Sequence, residues 1–208
     1  MNRTLPDLTG IKNIIFDFGR VLLNINPQLT MTGLAQLGYL LQHEKAGKKD
    51  DDVVVQLEMG LILPSEFKTE VISLLKDGVT EEEVIHAWNA MLLDFPQERV
   101  SLLKRLKKDY KLYLLSNSNL IHYDYYTRTF LDRYGFELST LFEKEWYSFN
   151  LGMIKPDPEI FSFVLTDGEL NPSETFFIDD TLVNVEAASR FGIRAYHLTS
   201  DVDITELF

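Results

Sequence analysis

Four short runs, Asn13–Phe16, Lys111–Leu115, Thr175–Ile178 and Arg194–Leu198, are mostly apolar without alternation, and a weaker run lies at Lys144–Ser148. Continuous hydrophobicity over strand length marks strands covered on both faces, the condition of a parallel sheet packed between helices. Helix-period segments fall between these runs. Pro96–Asp109 brings Val100, Leu103 and Leu106 near one face, and Thr181–Phe191 carries Val185 and Ala188 at compatible spacing. Strands alternating with helices imply right-handed crossovers and an α/β architecture.

Between Asn24 and Phe95 the texture changes, and only amphipathic helical stretches are legible. Pro64-Ser65-Glu66 opens one, with Phe67, Val71, Leu74 and Leu75 at helix spacing and Asp77-Gly78 closing it. Thr80 to Glu83 reads as a capping box, followed by Val84, Ala87, Trp88 and Met91 on one face. The charged run His43–Asp52 reads as a solvated connection or a frayed helix end. Residues 25–95 are therefore expected to form a small helical cap, inserted into an α/β core made of residues 1–24 and 96–208.

A chain of 208 residues suits one substantial domain with a smaller insertion. Cysteine is absent, which removes disulfides, thiolate nucleophiles and thiolate metal sites. The net charge of −12 argues against nucleic acid and against anionic membranes as partners. An anionic substrate would need a local device against that field, and a divalent cation is the natural one. The opening MNRTLPDLTG has no apolar core of a signal peptide, and no run is long enough to span a bilayer, so a cytoplasmic location is expected.

In an open parallel sheet, ligands bind beyond the carboxyl ends of the strands, so polar residues just after each run matter most. Asp17 follows the first run, with Gly19 permitting a sharp turn and close backbone approach. Ser116 and Asn117 follow the second, where a helix N-cap would look the same. Lys155 stands just before a helix start at Asp157-Pro158, where a cation gains nothing from the helix dipole and an anionic ligand would explain it. Asp179 and Asp180 end a buried run, where adjacent carboxylates repel unless a cation intervenes. With Asp17 they make an all-oxygen set suited to Mg²⁺, whereas no His/Cys cluster offers a zinc or iron site.

Taken in order, these four positions resemble the motifs of the haloacid dehalogenase superfamily, over nearly the whole chain from Asn13 to Leu198. The segments FDFG, LLSN, LGMIKPDPEIF and FIDD with NVEAA look most like the branch containing α-D-glucose-1-phosphate phosphatase. The resemblance implies a Rossmann-like core with a helical cap after the first motif. It also implies a Mg²⁺-dependent phosphatase acting on a small phosphorylated metabolite, such as a sugar phosphate. Asp17 would be the nucleophile, forming an aspartyl-phosphate. Mg²⁺ would be held by Asp17, Asp180 and the Gly19 carbonyl. Lys155 and Ser116 would act as catalytic phosphate binders, joined at the substrate by Asn117, Gly19, Arg20 and the N–H groups of the Phe18–Arg20 turn. Asp179 and Asn184 would support them from behind.

One position departs from that pattern. Most phosphatases of the superfamily carry a second Asp two residues after the nucleophile as acid and base, and here Gly19 stands there. General acid–base help contributes roughly 10²–10⁴-fold in rate. The resembling branch also carries Gly, and Glu58, His86 and Asp94 are cap candidates to replace it. Arg20 would either meet a second anionic group of the substrate or point into solvent. His43, His122 and His197 read as structural, and the aromatic stretch His122–Phe130 as core or as the rim of the site entrance. Two other readings stay open: a catalytically impaired phospholigand-binding relative, and a metal-independent 2-haloacid dehalogenase. A monomer or weak homo-oligomer is expected.

Overall fold

The computed structural model describes residues 6–39 and 50–208. Five strands form one fully parallel sheet: β1 (Asn13–Phe16), β2 (Lys111–Ser116), β3 (Lys144–Tyr147), β4 (Thr175–Asp179) and β5 (Arg194–His197), ordered β3-β2-β1-β4-β5. All five expected strands are present, each end within a residue of its apolar run. The order reverses at β1, so the switch point lies between β1 and β4.

Continuous hydrophobicity works here as a two-sided signal. Ile14, Phe16, Leu112, Leu114, Phe176 and Ile178 face one core cluster, together with Val100, Leu103 and Leu106 of α5 (Gln97–Leu106) and Tyr126 and Phe130 of α6 (Leu120–Tyr134). Ile15, Tyr113, Leu115 and Phe177 face the other, against α8 (Pro158–Asp167) and α9 (Leu182–Ser189). A one-turn helix, α7 (Ser148–Leu151), follows β3 directly.

Between β1 and α5 the chain forms helices α1 (Pro27–Gln36), α2 (Asp50–Glu58), α3 (Pro64–Ser73) and α4 (Glu81–Asn89). The capping box is formed, with Glu83 N–H donating to Thr80 Oγ1 at 3.3 Å and Thr80 N–H to Glu83 Oε2 at 2.8 Å. Helix α3 stops at Ser73, short of the expected Asp77-Gly78. Phe67, Val71, Val84, Ala87 and Trp88 make a third cluster with Leu34 and Leu57, which Ile121 of α6 joins from the other side. The segments leading in and out run antiparallel, with Asn24 N–H donating to Asp94 O at 2.9 Å, Leu93 N–H to Asn24 O at 3.0 Å and Asn26 N–H to Met91 O at 2.8 Å. On these grounds we propose residues 25–95 as a cap unit with its own core.

The charged run His43–Asp52 lies outside the described residues up to position 49, as does Met1–Leu5; from Asp50 the backbone is helical. Among the described residues, no helix is long and apolar enough to cross a membrane.

Candidate active site

Register puts the charged groups together. Phe16 pairs with Leu114 and with Ile178, so one step further Asp17 stands level with Leu115 and Asp179. Strand alternation then sends Asp17 and Asp179 toward the face of Ile15 and Phe177, the side on which α8 packs. Lys155, in the loop before α8, reaches in from that side. Its Nζ donates to Asp17 Oδ1 at 2.6 Å, Asp179 Oδ2 at 2.7 Å and the Leu115 carbonyl at 2.8 Å. All three ammonium hydrogens are committed, and the side chain is 1% exposed.

Charges this deep survive only by mutual compensation. Burial works against the Lys155 ammonium, but the Asp17 and Asp179 carboxylates outweigh it and hold its pKa above the ordinary lysine value. Burial pushes the Asp17 carboxyl above the usual carboxylate range, with Lys155 opposing and Asp179 and Asp180 adding to the rise. Asp179 is fully buried; its Oδ1 accepts from the Thr181 N–H at 2.8 Å, and both its oxygens accept from Asn184 Nδ2 at 3.0 Å. Asn184 thus fixes the plane of the carboxylate that faces Lys155.

Asp180 turns the other way. Its Oδ2 accepts from Arg20 Nη1 at 3.3 Å and its Oδ1 from the Thr181 hydroxyl at 3.2 Å. Asp17, Asp179 and Asp180 each offer an oxygen, and these lie within 4.8 Å of one another. Such an all-oxygen, multiply anionic set fits a hard divalent cation such as Mg²⁺. Among the described residues no hydrogen bond reaches the Gly19 carbonyl, which leaves it available as a neutral ligand.

Several expected site residues differ in detail. The left-handed residue of the first loop is Arg20, at φ 61°, not Gly19. A Cβ on Gly19 would lie 3.0 Å from Ile25 Cδ1, a tight contact that a small shift of that side chain would relieve. The Arg20 N–H, expected to face a ligand, donates to Leu23 O at 2.7 Å. Arg20 itself neither meets solvent alone nor waits unpaired, since it reaches Asp180. Asn117, expected at the phosphate, gives its amide to Lys155, with Nδ2 donating to Lys155 O and Oδ1 accepting from Lys155 N–H, both at 2.9 Å. It therefore sets the backbone that carries the ammonium. Ser116 is buried at the end of β2, its hydroxyl donating at 3.3 Å to Asn117 O.

The cap candidates separate cleanly. His86 is exposed on α4, and Asp94 pairs with Asn24 Nδ2 at 2.9 Å in the linkers. Glu58 is half-buried at the end of α2, and burial raises its carboxyl pKa. The next turn meets the core: a Cβ on Gly60 would fall 2.1 Å from Phe149 O of α7.

Two histidines do more than packing. His197 Nε2 lies 2.9 Å from the Asp180 carbonyl, so it ties β5 to the loop of that carboxylate. The strand-end rule applied to β5 would have found it. His122, buried in the first turn of α6, places Nδ1 3.1 Å from Asn119 Nδ2 and Nε2 3.2 Å from the Trp88 carbonyl of α4, with its ring stacked on Trp88. That network assigns the proton to Nε2.

Burial pulls the His122 pKa down to about 4, with the Trp88 carbonyl opposing. The unfolded imidazole titrates near 6.5, so the unfolded chain takes up a proton first as pH falls. Stability tied to this joint is complete above about pH 6.5 and falls away toward about pH 4, by roughly 3 kcal/mol in all. Comparing His122→Gln with the wild type in denaturant titrations between these limits should show a flatter curve. Equal slopes would remove His122 from the account of acid sensitivity.

A buried lysine bridging two strand-end aspartates, beside a third, stands at the switch point of an open parallel sheet, the place where α/β proteins of this kind bind ligands. The chain belongs to the haloacid dehalogenase-like hydrolases, whose family description matches residues 11–192. It is 30% identical over 194 residues to a D-ribitol-5-phosphate phosphatase of Bacteroides thetaiotaomicron, covering 93% of this chain and 94% of that one. It is also 30% identical over 204 residues to a sesquiterpene phosphatase of Aspergillus oryzae, with 93% of each covered. Among solved structures, a haloacid dehalogenase family enzyme of Bacteroides thetaiotaomicron in complex with magnesium and inorganic phosphate superposes at a TM-score of 0.87. That enzyme is 34% identical, over 95% of this chain and 99% of its own.

Proposed function

We propose that this protein is a Mg²⁺-dependent phosphatase of small phosphate monoesters, with a phosphorylated sugar or polyol as substrate, working through an aspartyl-phosphate on Asp17. The observation that carries this reading is the Lys155 bridge from Asp17 to Asp179, with the Asp180 carboxylate beside it. A lysine so placed holds a nucleophilic carboxylate in position and presents positive charge where phosphoryl oxygens arrive. The phosphatases and the magnesium–phosphate complex among its relatives point the same way.

On this reading Asp17 attacks phosphorus as the bond to the leaving oxygen breaks, and water then hydrolyses the acyl phosphate to release inorganic phosphate. The Phe18 and Gly19 N–H groups and the Ser116 hydroxyl bind the phosphoryl oxygens, and Lys155 joins them by releasing Asp17, one of its three present acceptors, as that carboxylate turns to phosphorus. Asn117 and Asp179 keep Lys155 in place, and Asn184 keeps Asp179 in place. Asp17, Asp180 and the Gly19 carbonyl would hold Mg²⁺, which supplies charge neutralisation between two approaching anions. Gly19 brings no acid or base. Among the cap candidates, Glu58 is half-buried with its carboxyl pKa raised by burial, and it is the first to replace by Gln in a search for the group that protonates the leaving oxygen.

A screen for phosphate release across sugar, polyol and nucleoside monophosphates with Mg²⁺ tests the proposal. Asp17→Asn should lower release by about 10⁴-fold or more, and EDTA should abolish it in the wild type. Turnover that survives Asp17→Asn would refute the covalent route. Ligand-dependent thermal stabilisation without turnover on any substrate would favour a binding protein instead.

A further inference from the structure

Arg20 is the residue for which the chemistry above has least use, and its surroundings are the most open part of the site. Its backbone is held left-handed at φ 61°, an arrangement fixed by its own N–H donating to Leu23 O at 2.7 Å. A side chain other than Gly, Asn or Asp seldom occupies that region. The guanidinium is thereby carried out over Asp180, with its side chain 56% exposed. It borders a cleft of about 900 Å³ that runs from Asp180 along the carboxyl end of β5, lined also by Asn24, Asn26, His197 and Thr199. A cleft of that size holds a sugar-sized group, since small-molecule sites measure roughly 300–1,000 Å³. Asn24, Asn26, His197 and Thr199 each already hold one neighbour, Asp94, the Gln28 N–H, the Asp180 carbonyl and Asp201 in turn, so a polyhydroxylated molecule would meet their remaining polar atoms and the Asp201 and Asp203 carboxylates.

Arg99 borders the same cleft, but Asp203 holds it through Nε at 3.2 Å and Nη2 at 2.8 Å. Among the described residues the Arg20 guanidinium has a single contact, at 3.3 Å, to a carboxylate that a divalent cation would neutralise. An exposed guanidinium that loses its counter-charge is a local attraction for an anion, set against the repulsion of a chain of net charge −12 and of Asp201 and Asp203 in the same cleft wall.

We propose that Arg20 is a specificity-determining residue that selects phosphate esters bearing a second anionic group, a phosphate or a carboxylate, on a polyhydroxylated leaving group seated in this cleft. The inference rests on the phosphatase reading for its catalytic meaning, and its binding can be measured without turnover.

The experiment compares fructose 1,6-bisphosphate and 6-phosphogluconate with fructose 6-phosphate. Arg20→Asn is the chosen variant because Asn removes the charge and tolerates the left-handed backbone; Arg20→Lys keeps a cation. Thermal unfolding of each checks the fold. In the wild type, kcat/KM should favour the doubly anionic substrates. Arg20→Asn should erode that preference at least tenfold, chiefly through KM, and Arg20→Lys should restore part of it. Calorimetric affinities in an Asp17→Asn background with Mg²⁺ should show the same tenfold loss of discrimination. Charge-dependent binding without phosphate release in the wild type would refute the phosphatase reading and leave the role of Arg20 standing. Absence of preference in the wild type, or equal losses for all three ligands on Arg20→Asn, would overturn the proposal.

Discussion

Lys155→Met will both unfold more easily and lose nearly all phosphate release. The ammonium makes three hydrogen bonds and is sealed from solvent, so its removal leaves Asp17 and Asp179 facing each other with no cation between them. Removing one partner of a buried ion pair costs about 3–5 kcal/mol. For a chain of this size that is a fall in melting temperature of roughly 6–20 °C, measured with EDTA present so that no metal substitutes for the lysine. Activity with Mg²⁺ should fall by about 10²–10³-fold or more, as when one fixed donor to a developing anion is lost. Lys155→Arg will not rescue, because a planar fork cannot place three donors on Asp17, Asp179 and the Leu115 carbonyl from a pocket shaped for a point charge. A melting temperature unchanged in Lys155→Met would mean that the two carboxylates do not depend on it.

Gly60→Ala will destabilise the contact between the helical insertion and the core far more than Gly78→Ala does. Both glycines are left-handed, at φ 66° and φ 85°, and each alanine would incur that backbone penalty. A Cβ on Gly78 meets nothing within 4 Å, whereas one on Gly60 would lie 2.1 Å from Phe149 O. The shared penalty is about 1–2 kcal/mol, and forcing backbone apart at a packed contact adds about 1–3 kcal/mol. Parallel denaturant titrations give the difference directly. Equal losses in the two variants would mean that the Gly60 turn does not bear on α7.

The sheet was legible because its strands are covered on both faces, and that condition leaves a mark in the residues themselves. Asp17 and Asp179 followed from the same mark, as the first charges after β1 and β4. Their meeting with Lys155, 138 residues from Asp17, was reachable through the strand-end rule and the family resemblance. The strand β4 runs one residue past its apolar run because Asp179 itself continues the ladder opposite His197. Other features depend on what packing brings opposite, and local patterns do not carry that. Gly19 looked like the flexible point, yet the left-handed turn fell to Arg20, and what a side chain at Gly19 would meet is the tip of Ile25 at 3.0 Å. Asn117 looked like a ligand residue until Lys155 arrived to occupy its amide. His122 has one local partner, Asn119 at the start of its own helix, but the contact that ties it across the structure is a carbonyl in α4, which no local spacing reveals.

The paired linkers have a consequence for how such a molecule can change. Asn24 and Asp94 are hydrogen-bonded neighbours, so the insertion leaves and re-enters the sheet at essentially one point. Asp17, Gly19, Arg20, Ser116, Asn117, Lys155, Asp179, Asp180 and Asn184 all lie outside the stretch between them. The charged cluster is thus assembled by a scaffold that closes on itself. Loops between those two residues that touch neither Glu58 nor the contacts of Gly60 and Trp88 with the core can therefore be lengthened or exchanged while Asp17, Lys155 and Asp179 stay where the strands put them.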